Sequence, residues 1–170
     1  GVAYGATKAG ISSTIVMPEG APLSKVLATK GYGAEVVLHG HVYDDAYQKA
    51  LDLQKETGAT FIHAFDDKEV IAGQGTIGLE ILDELPEVDA IVVPIGGGGL
   101  ISGIAVAVKT LKPNVRVIGV EAEGAACAKA SRESQKICQL TTAQTIADGI
   151  AVKCPGELTF ELIEKYVDDI

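Results

Sequence analysis

Residues 90–108 read AIVVPIGGGGLISGIAVAV, and the rest of the chain is organised around that stretch. Ile91, Val92, Val93 and Ile95 make a β-branched run free of charge, the pattern of a strand covered on both faces of a parallel sheet. The run stops at Gly96. The four glycines Gly96, Gly97, Gly98 and Gly99 remove every Cβ from the turn, so successive backbone N–H groups can converge on one point. A helix starting near Leu100 aims the positive end of its dipole at the same place. Strand, loop and helix together make an anion site best suited to a phosphate.

What the loop lacks narrows the ligand. A nucleoside-triphosphate loop needs Lys and Ser/Thr directly after the glycines, whereas Leu100 and Ile101 follow Gly99. The nearest cation downstream is Lys109, about two to three turns along the helix. Backbone amides therefore hold the phosphate with little side-chain help. The competing reading is a tight strand-to-helix turn without a ligand, but four adjacent glycines carry an entropic cost that a plain turn does not require.

The 170 residues are 47% hydrophobic and 22% charged, an ordinary globular composition for one domain or one and a half. A net charge of −9 argues against a nucleic-acid partner and against an anionic membrane surface. No apolar run approaches the roughly 20 residues of a membrane span. Cys127, Cys138 and Cys154 are odd in number and lack metal-ligand spacing, so they read as small buried residues in a reducing cytoplasm. The chain begins at Gly1 rather than Met, which points to a piece of something longer.

In chain order, residues 1–10 read as the tail of a helix stopped by Gly10, and residues 14–17 as a strand ended by Pro18. Pro22 and Ser24 introduce a helix through Lys30, residues 34–38 form a second strand, and Asp44 can cap a helix that Gly58 closes. A third strand is expected at residues 60–64. A helix follows from about Val70 to Leu85, with Ile77, Ile81 and Leu85 facing inward. After the glycine loop and its helix come a strand over residues 115–120 ending at Glu121, a helix from about Ala125, and a last helix over residues 159–167. The alternation predicts an α/β fold of open parallel sheets with helices on both faces, whose ligands sit beyond the carboxyl ends of strands.

Three weaker signals have plain explanations. Gly73, Gly75 and Gly78 match GxGxxG, but a charged loop separates them from the preceding strand, so close helix packing explains them better than a dinucleotide. His39 and His41 stand two apart with no third ligand evident, and His63 reads as a satisfied histidine within an apolar strand. Glu121, a carboxylate at a strand end near a phosphate loop, is either a cation ligand or a solvated acid.

Four segments, IAGQGTIGLEIL, VVPIGGGGLISGIA, VRVIGVEAEGA and TIADGIAVKCPGELTF, occur in this order, and with them the chain resembles the threonine (serine) dehydratases, the catabolic threonine ammonia-lyases above all. The resemblance covers essentially all 170 residues. It implies the tryptophan-synthase-β-like fold of the fold-type II pyridoxal-phosphate enzymes, here incomplete. Residues 1–65 would be part of the small α/β domain and residues 66–170 part of the large cofactor-binding domain. Gly96, Gly97, Gly98, Gly99 and Leu100 match the family's phosphate loop, and Gly149 a backbone position close to the cofactor's reactive carbon.

The implied reaction is β-elimination, turning L-threonine into 2-oxobutanoate and ammonia, with L-serine as the related substrate. The family's cofactor-linking lysine lies in a segment like SFKxRGA, followed by SxGNHxQ. Neither is found here, so the expectation is a fragment of the enzyme that is inactive alone. The resemblance also implies a homo-oligomer and, in some catabolic members, adenosine monophosphate as an effector. In the related serine racemases a strand-end Glu and a backbone carbonyl four residues on bind a divalent cation. Glu121 and Ala125 match these, yet Cys127 stands where an Asp ligand follows, which leaves a divalent cation, a monovalent one or none. Serine racemase, another fold-type II lyase, and a non-catalytic phosphate-ligand module stay open as alternatives.

Overall fold

The computed structural model describes all 170 residues apart from the side chain of Asp44. The chain divides into two compact units, Gly1–Ile62 and His63–Ile170.

In the first unit, α1 (Val2–Lys8), β1 (Thr14–Met17), α2 (Leu23–Gly31), β2 (Glu35–Leu38) and α3 (Tyr43–Thr57) follow one another. β1 and β2 pair in parallel, with Thr14 opposite Glu35 and Met17 opposite Leu38. Ala3, Val26, Ala34 and Ala46 are buried there. The cap expected from Asp44 lies outside the described residues. The Asp45 carboxylate accepts the N–H groups of His41 at 2.8 Å and Val42 at 3.2 Å, which fixes the entry to α3. Gly58 ends that helix in the left-handed conformation, φ 69°, as a C-terminal glycine should.

The expected strand at residues 60–64 does not form. The apolar run is present, but no ladder partner lies beside the segment among the described residues. The chain instead turns at His63, whose Nδ1 accepts the N–H groups of Phe65 at 3.2 Å and Asp66 at 2.8 Å. His63 is thus a half-buried turn residue and not part of a core strand.

The second unit holds α4 (Lys68–Glu84), β3 (Ala90–Pro94), α5 (Gly99–Leu111), β4 (Arg116–Val120), α6 (Cys127–Ser134) and α7 (Glu157–Tyr166), with 3₁₀ turns at Glu123–Ala125 and Asp148–Ile150. β3 and β4 pair in parallel, Ile91 opposite Val117 and Val93 opposite Gly119. Beyond α7 the chain returns to the edge of β4, where Asp168 N–H donates to the Val117 carbonyl and Gly119 N–H to the Asp169 carbonyl. Ile95, Ile101, Val108, Val117 and Ile163 are fully buried at the centre of the core. No helix among the described residues is long and apolar enough to cross a membrane.

Two expectations change in this unit. Although β3 is apolar throughout, its burial alternates: Val93 is 2% exposed and Val92 62%, because α5 packs on one face. On α4 the buried stripe is Ile71, Gly75, Gly78 and Leu82, whereas Ile77 and Leu85 are exposed and Ile81 is only partly buried. The reason is the neighbour. α4 lies against α5 through glycines: a Cβ on Gly75 would sit 3.0 Å from the Gly103 carbonyl oxygen, and one on Gly78 3.2 Å from that of Ile104. The GxGxxG pattern is therefore a helix-packing surface. α4 also begins earlier than expected, because Asp67 Oδ1 caps it by accepting from Glu69 N–H at 2.9 Å and Val70 N–H at 3.1 Å.

Candidate functional site

The glycine loop leaves the carboxyl end of β3 and enters α5. The residue before it is anchored by the sheet, since Ile95 N–H donates to the Val120 carbonyl at 2.8 Å. Gly98 is the residue before α5 and has φ 97°, a conformation that side chains other than glycine rarely adopt. Gly97, Gly98 and Gly99 are buried. The N–H groups of Gly97, Gly98, Gly99 and Leu100 precede the first acceptor within the helix and make no hydrogen bond among the described residues. Buried donors without a protein acceptor are costly, and an anion at the helix start satisfies several at once.

Walls close tightly around the loop. A Cβ on Gly99 would lie 2.9 Å from the Phe65 carbonyl oxygen and Cβ, and one on Gly97 would overlap the Phe65 ring. A Cβ on Gly98 would meet Thr159 Cβ at 2.8 Å. Phe65 and Thr159 thus both pack directly against the loop. The cradle fits a phosphate group held by backbone amides: converging donors, no intervening Cβ and a helix dipole behind them.

Gly149, on the 3₁₀ turn Asp148–Ile150, is brought to the start of the loop. A Cβ on Gly96 would be 3.2 Å from Ile150 Cα and 3.5 Å from the Gly149 carbonyl oxygen. The loop residues and Gly149, 50 or so positions apart, therefore share one site.

Glu121 does something the sequence does not suggest. Its Oε1 accepts Ala128 N–H and its Oε2 accepts Lys129 N–H, both at 2.8 Å, so the carboxylate caps the start of α6. Burial pushes its pKa above the usual carboxylate range, while those two amides pull the other way. Ala125 is buried at the end of the 3₁₀ turn that links β4 to α6. Cys127 is fully buried, and its thiol, 3.8 Å from the Gly96 carbonyl oxygen, is pushed up to about 12 by burial, with the Glu121 charge adding to the effect. Among the described residues no three His, Cys, Asp or Glu side chains are grouped to hold a metal ion, and His39 and His41 are both exposed.

The residues missed from sequence are those that hold the loop. Asp66 Oδ2 accepts Glu157 N–H at 3.1 Å and its Oδ1 accepts Thr159 N–H at 3.0 Å, capping α7 from more than ninety residues away. Thr159 Oγ1 donates to the Gly97 carbonyl at 2.7 Å, and Ser102 Oγ donates to the Thr159 carbonyl at 3.2 Å. Thr159 and Ser102 are fully buried. Thr159 lies in a segment that carries the family resemblance, yet nothing local marks its partner.

Comparison with known proteins places the chain in a family. The family model described as "Pyridoxal-phosphate dependent enzyme" matches residues 1–170. The chain is similar to an L-threonine ammonia-lyase of Thermotoga maritima, with 54% identity over the whole chain and 42% of that protein. It is 51% identical to the catabolic L-threonine dehydratase TdcB of Escherichia coli, again over the whole chain and 52% of that protein. The chain thus spans about half the length of the curated relatives it matches. Among solved structures, maize serine racemase superposes with a TM-score of 0.93 at 41% identity, over 99% of this chain and 51% of that one. The processed form of threonine deaminase isoform 2 from Solanum lycopersicum superposes with 0.92 at 40% identity, over 99% and 50%.

Proposed function

The chain belongs to the family of pyridoxal-phosphate dependent enzymes, and from that premise we propose that it forms part of a lyase converting L-threonine to 2-oxobutanoate and ammonia by β-elimination, with L-serine as the related substrate. The observation that carries the reading is identity of 54% and 51%, across the entire chain, to an L-threonine ammonia-lyase and a catabolic L-threonine dehydratase.

In this reading the backbone N–H groups of Gly97, Gly98, Gly99 and Leu100 would hold the cofactor's phosphate, with Gly96 and Gly149 packed together beside them. Bound there, pyridoxal phosphate supplies an electron-withdrawing ring that stabilises negative charge at the substrate's α-carbon. The protein's share is to hold that group: the loop neutralises the phosphate with fixed dipoles, Phe65 and Thr159 keep the loop rigid, and burial excludes water from the donors. Because the loop lies in His63–Ile170, that unit is the cofactor-binding part, and Gly1–Ile62 belongs to the smaller domain. Both Glu121 oxygens are engaged by α6, which favours a cap at this position over a cation ligand. As the family resemblance implies, the reading includes a cytoplasmic homo-oligomer with adenosine monophosphate as an effector.

The reading is tested by expressing the reading frame that contains this chain, adding pyridoxal phosphate, and following 2-oxobutanoate from L-threonine. Steady formation of the oxo acid is expected. The close superposition on maize serine racemase supports a second reading, in which L-serine yields D-serine and L-threonine yields no oxo acid.

A further inference from the structure

Resting on the phosphate reading of the glycine loop, we propose that Thr159 is a positioning residue for the cofactor phosphate, acting through the peptide between Gly97 and Gly98. The Gly97 carbonyl accepts two hydrogen bonds from the start of α7: Thr159 Oγ1–H at 2.7 Å and Gly156 N–H at 3.3 Å. In a trans peptide the C=O and the following N–H point in opposite directions across one plane. Tying the Gly97 carbonyl to α7 therefore turns the Gly98 N–H away from α7, where no protein group accepts it among the described residues. The hydroxyl sets the direction of a donor it never touches.

Thr159 is itself held on three sides. Its N–H donates to Asp66, its carbonyl accepts from Ser102 on α5, and its Cβ lies so close to the loop that only glycine fits at position 98. Asp66 in turn is placed by its own N–H on His63 Nδ1. The hydroxyl of this fully buried threonine has two carbonyls within reach, Gly97 at 2.7 Å and Gly156 of its own turn at 3.2 Å, and the shorter bond is the one to the glycine loop.

The test uses the protein expressed from the full reading frame that contains this chain, freed of bound cofactor, and pyridoxine 5′-phosphate, which has no aldehyde and so makes no imine with lysines. Affinity is measured by calorimetry and the bound phosphate by its ³¹P resonance. Thr159→Val keeps the shape and removes the hydroxyl; it is expected to weaken binding roughly tenfold and to move the bound ³¹P resonance. Thr159→Ser restores the hydroxyl and is expected to return both readouts to the wild-type values. Equal affinity and an unmoved resonance in Thr159→Val overturn the proposal, and so does a Thr159→Ser variant as weak as Thr159→Val, which would assign the effect to the lost methyl packing. If Thr159→Val does not fold, Thr159→Cys, with a far weaker donor, is expected to bind less tightly than wild type; wild-type affinity overturns the proposal. Wild-type chain that binds no pyridoxine 5′-phosphate overturns the phosphate reading itself, and is told apart because the defect then appears without any substitution.

Discussion

Replacing Gly97 by Ala tests the cradle most directly. A methyl built at that position falls against Cγ, Cδ1 and Cε1 of Phe65, nearer than carbon atoms approach one another. Ordinary carbon–carbon contact needs ~3.5 Å, so the ring must retreat by roughly 1 Å. It has little room to do so. The Phe65 N–H is bonded to His63 Nδ1, and the His63 ring stands edge-on to the Phe65 ring with centroids 4.7 Å apart. Overpacking of this kind costs about 1–3 kcal/mol. The expected result is a loss of that size in urea unfolding of Gly97→Ala, with weaker binding of pyridoxine 5′-phosphate. The double variant Phe65→Ala/Gly97→Ala removes the obstructing ring. It should be more stable than the sum of the single changes by about the same 1–3 kcal/mol. Strict additivity of the two substitutions would refute the argument that the Phe65 ring is what requires glycine at position 97.

Other outcomes follow from the same structure. Gly103→Ala places a Cβ 2.6 Å from the Gly75 backbone nitrogen and onto the Ile71 carbonyl; both are backbone atoms, so α4 and α5 must separate, at ~3 kcal/mol by thermal unfolding. His63 has its pKa lowered from 6.5, chiefly by burial and against the pull of Asp66 and Asp67. Its contribution to stability is present above 6.5 and lost as pH falls through the lowered folded value, because a protonated Nδ1 can no longer accept from Phe65 and Asp66. Denaturation midpoints from pH 7.5 downward should fall in this window in the wild type and not in His63→Asn; parallel profiles would contradict the assignment. Cys127, fully buried with its thiol raised to about 12, should resist iodoacetamide in the folded chain at about pH 8, while Cys138 and Cys154 are alkylated; peptide mass spectrometry reads this directly.

The family resemblance and the local geometry of the loop were both legible before any coordinates. Strand β1 spans the residues the apolar pattern marks, Gly58 closes α3, and the tetraglycine turn opens α5 next to the residue expected. These are decisions made within a few residues: whether a Cβ can be tolerated, where a helix runs out of partners, which φ a position must adopt. What the sequence by itself could not decide is which surface each element meets. The large residues of α4 point to a stripe through Ile77 and Leu85, but the helix rests on its glycines because α5 offers Gly103 there. Residues 60–64 carry the short apolar run of a strand, but a strand is a pairing and none is offered among the described residues. That Glu121, at the end of β4, accepts two amides of α6 is decided only by where that helix packs. Thr159 and Gly97 are 62 residues apart, Asp66 and Thr159 are 93 apart, and these two hydrogen bonds link the glycine loop to α7 and to Asp66. Hydrogen bonds between distant residues leave no period in a sequence; their partners are chosen only when the packed helices bring the groups within 3 Å.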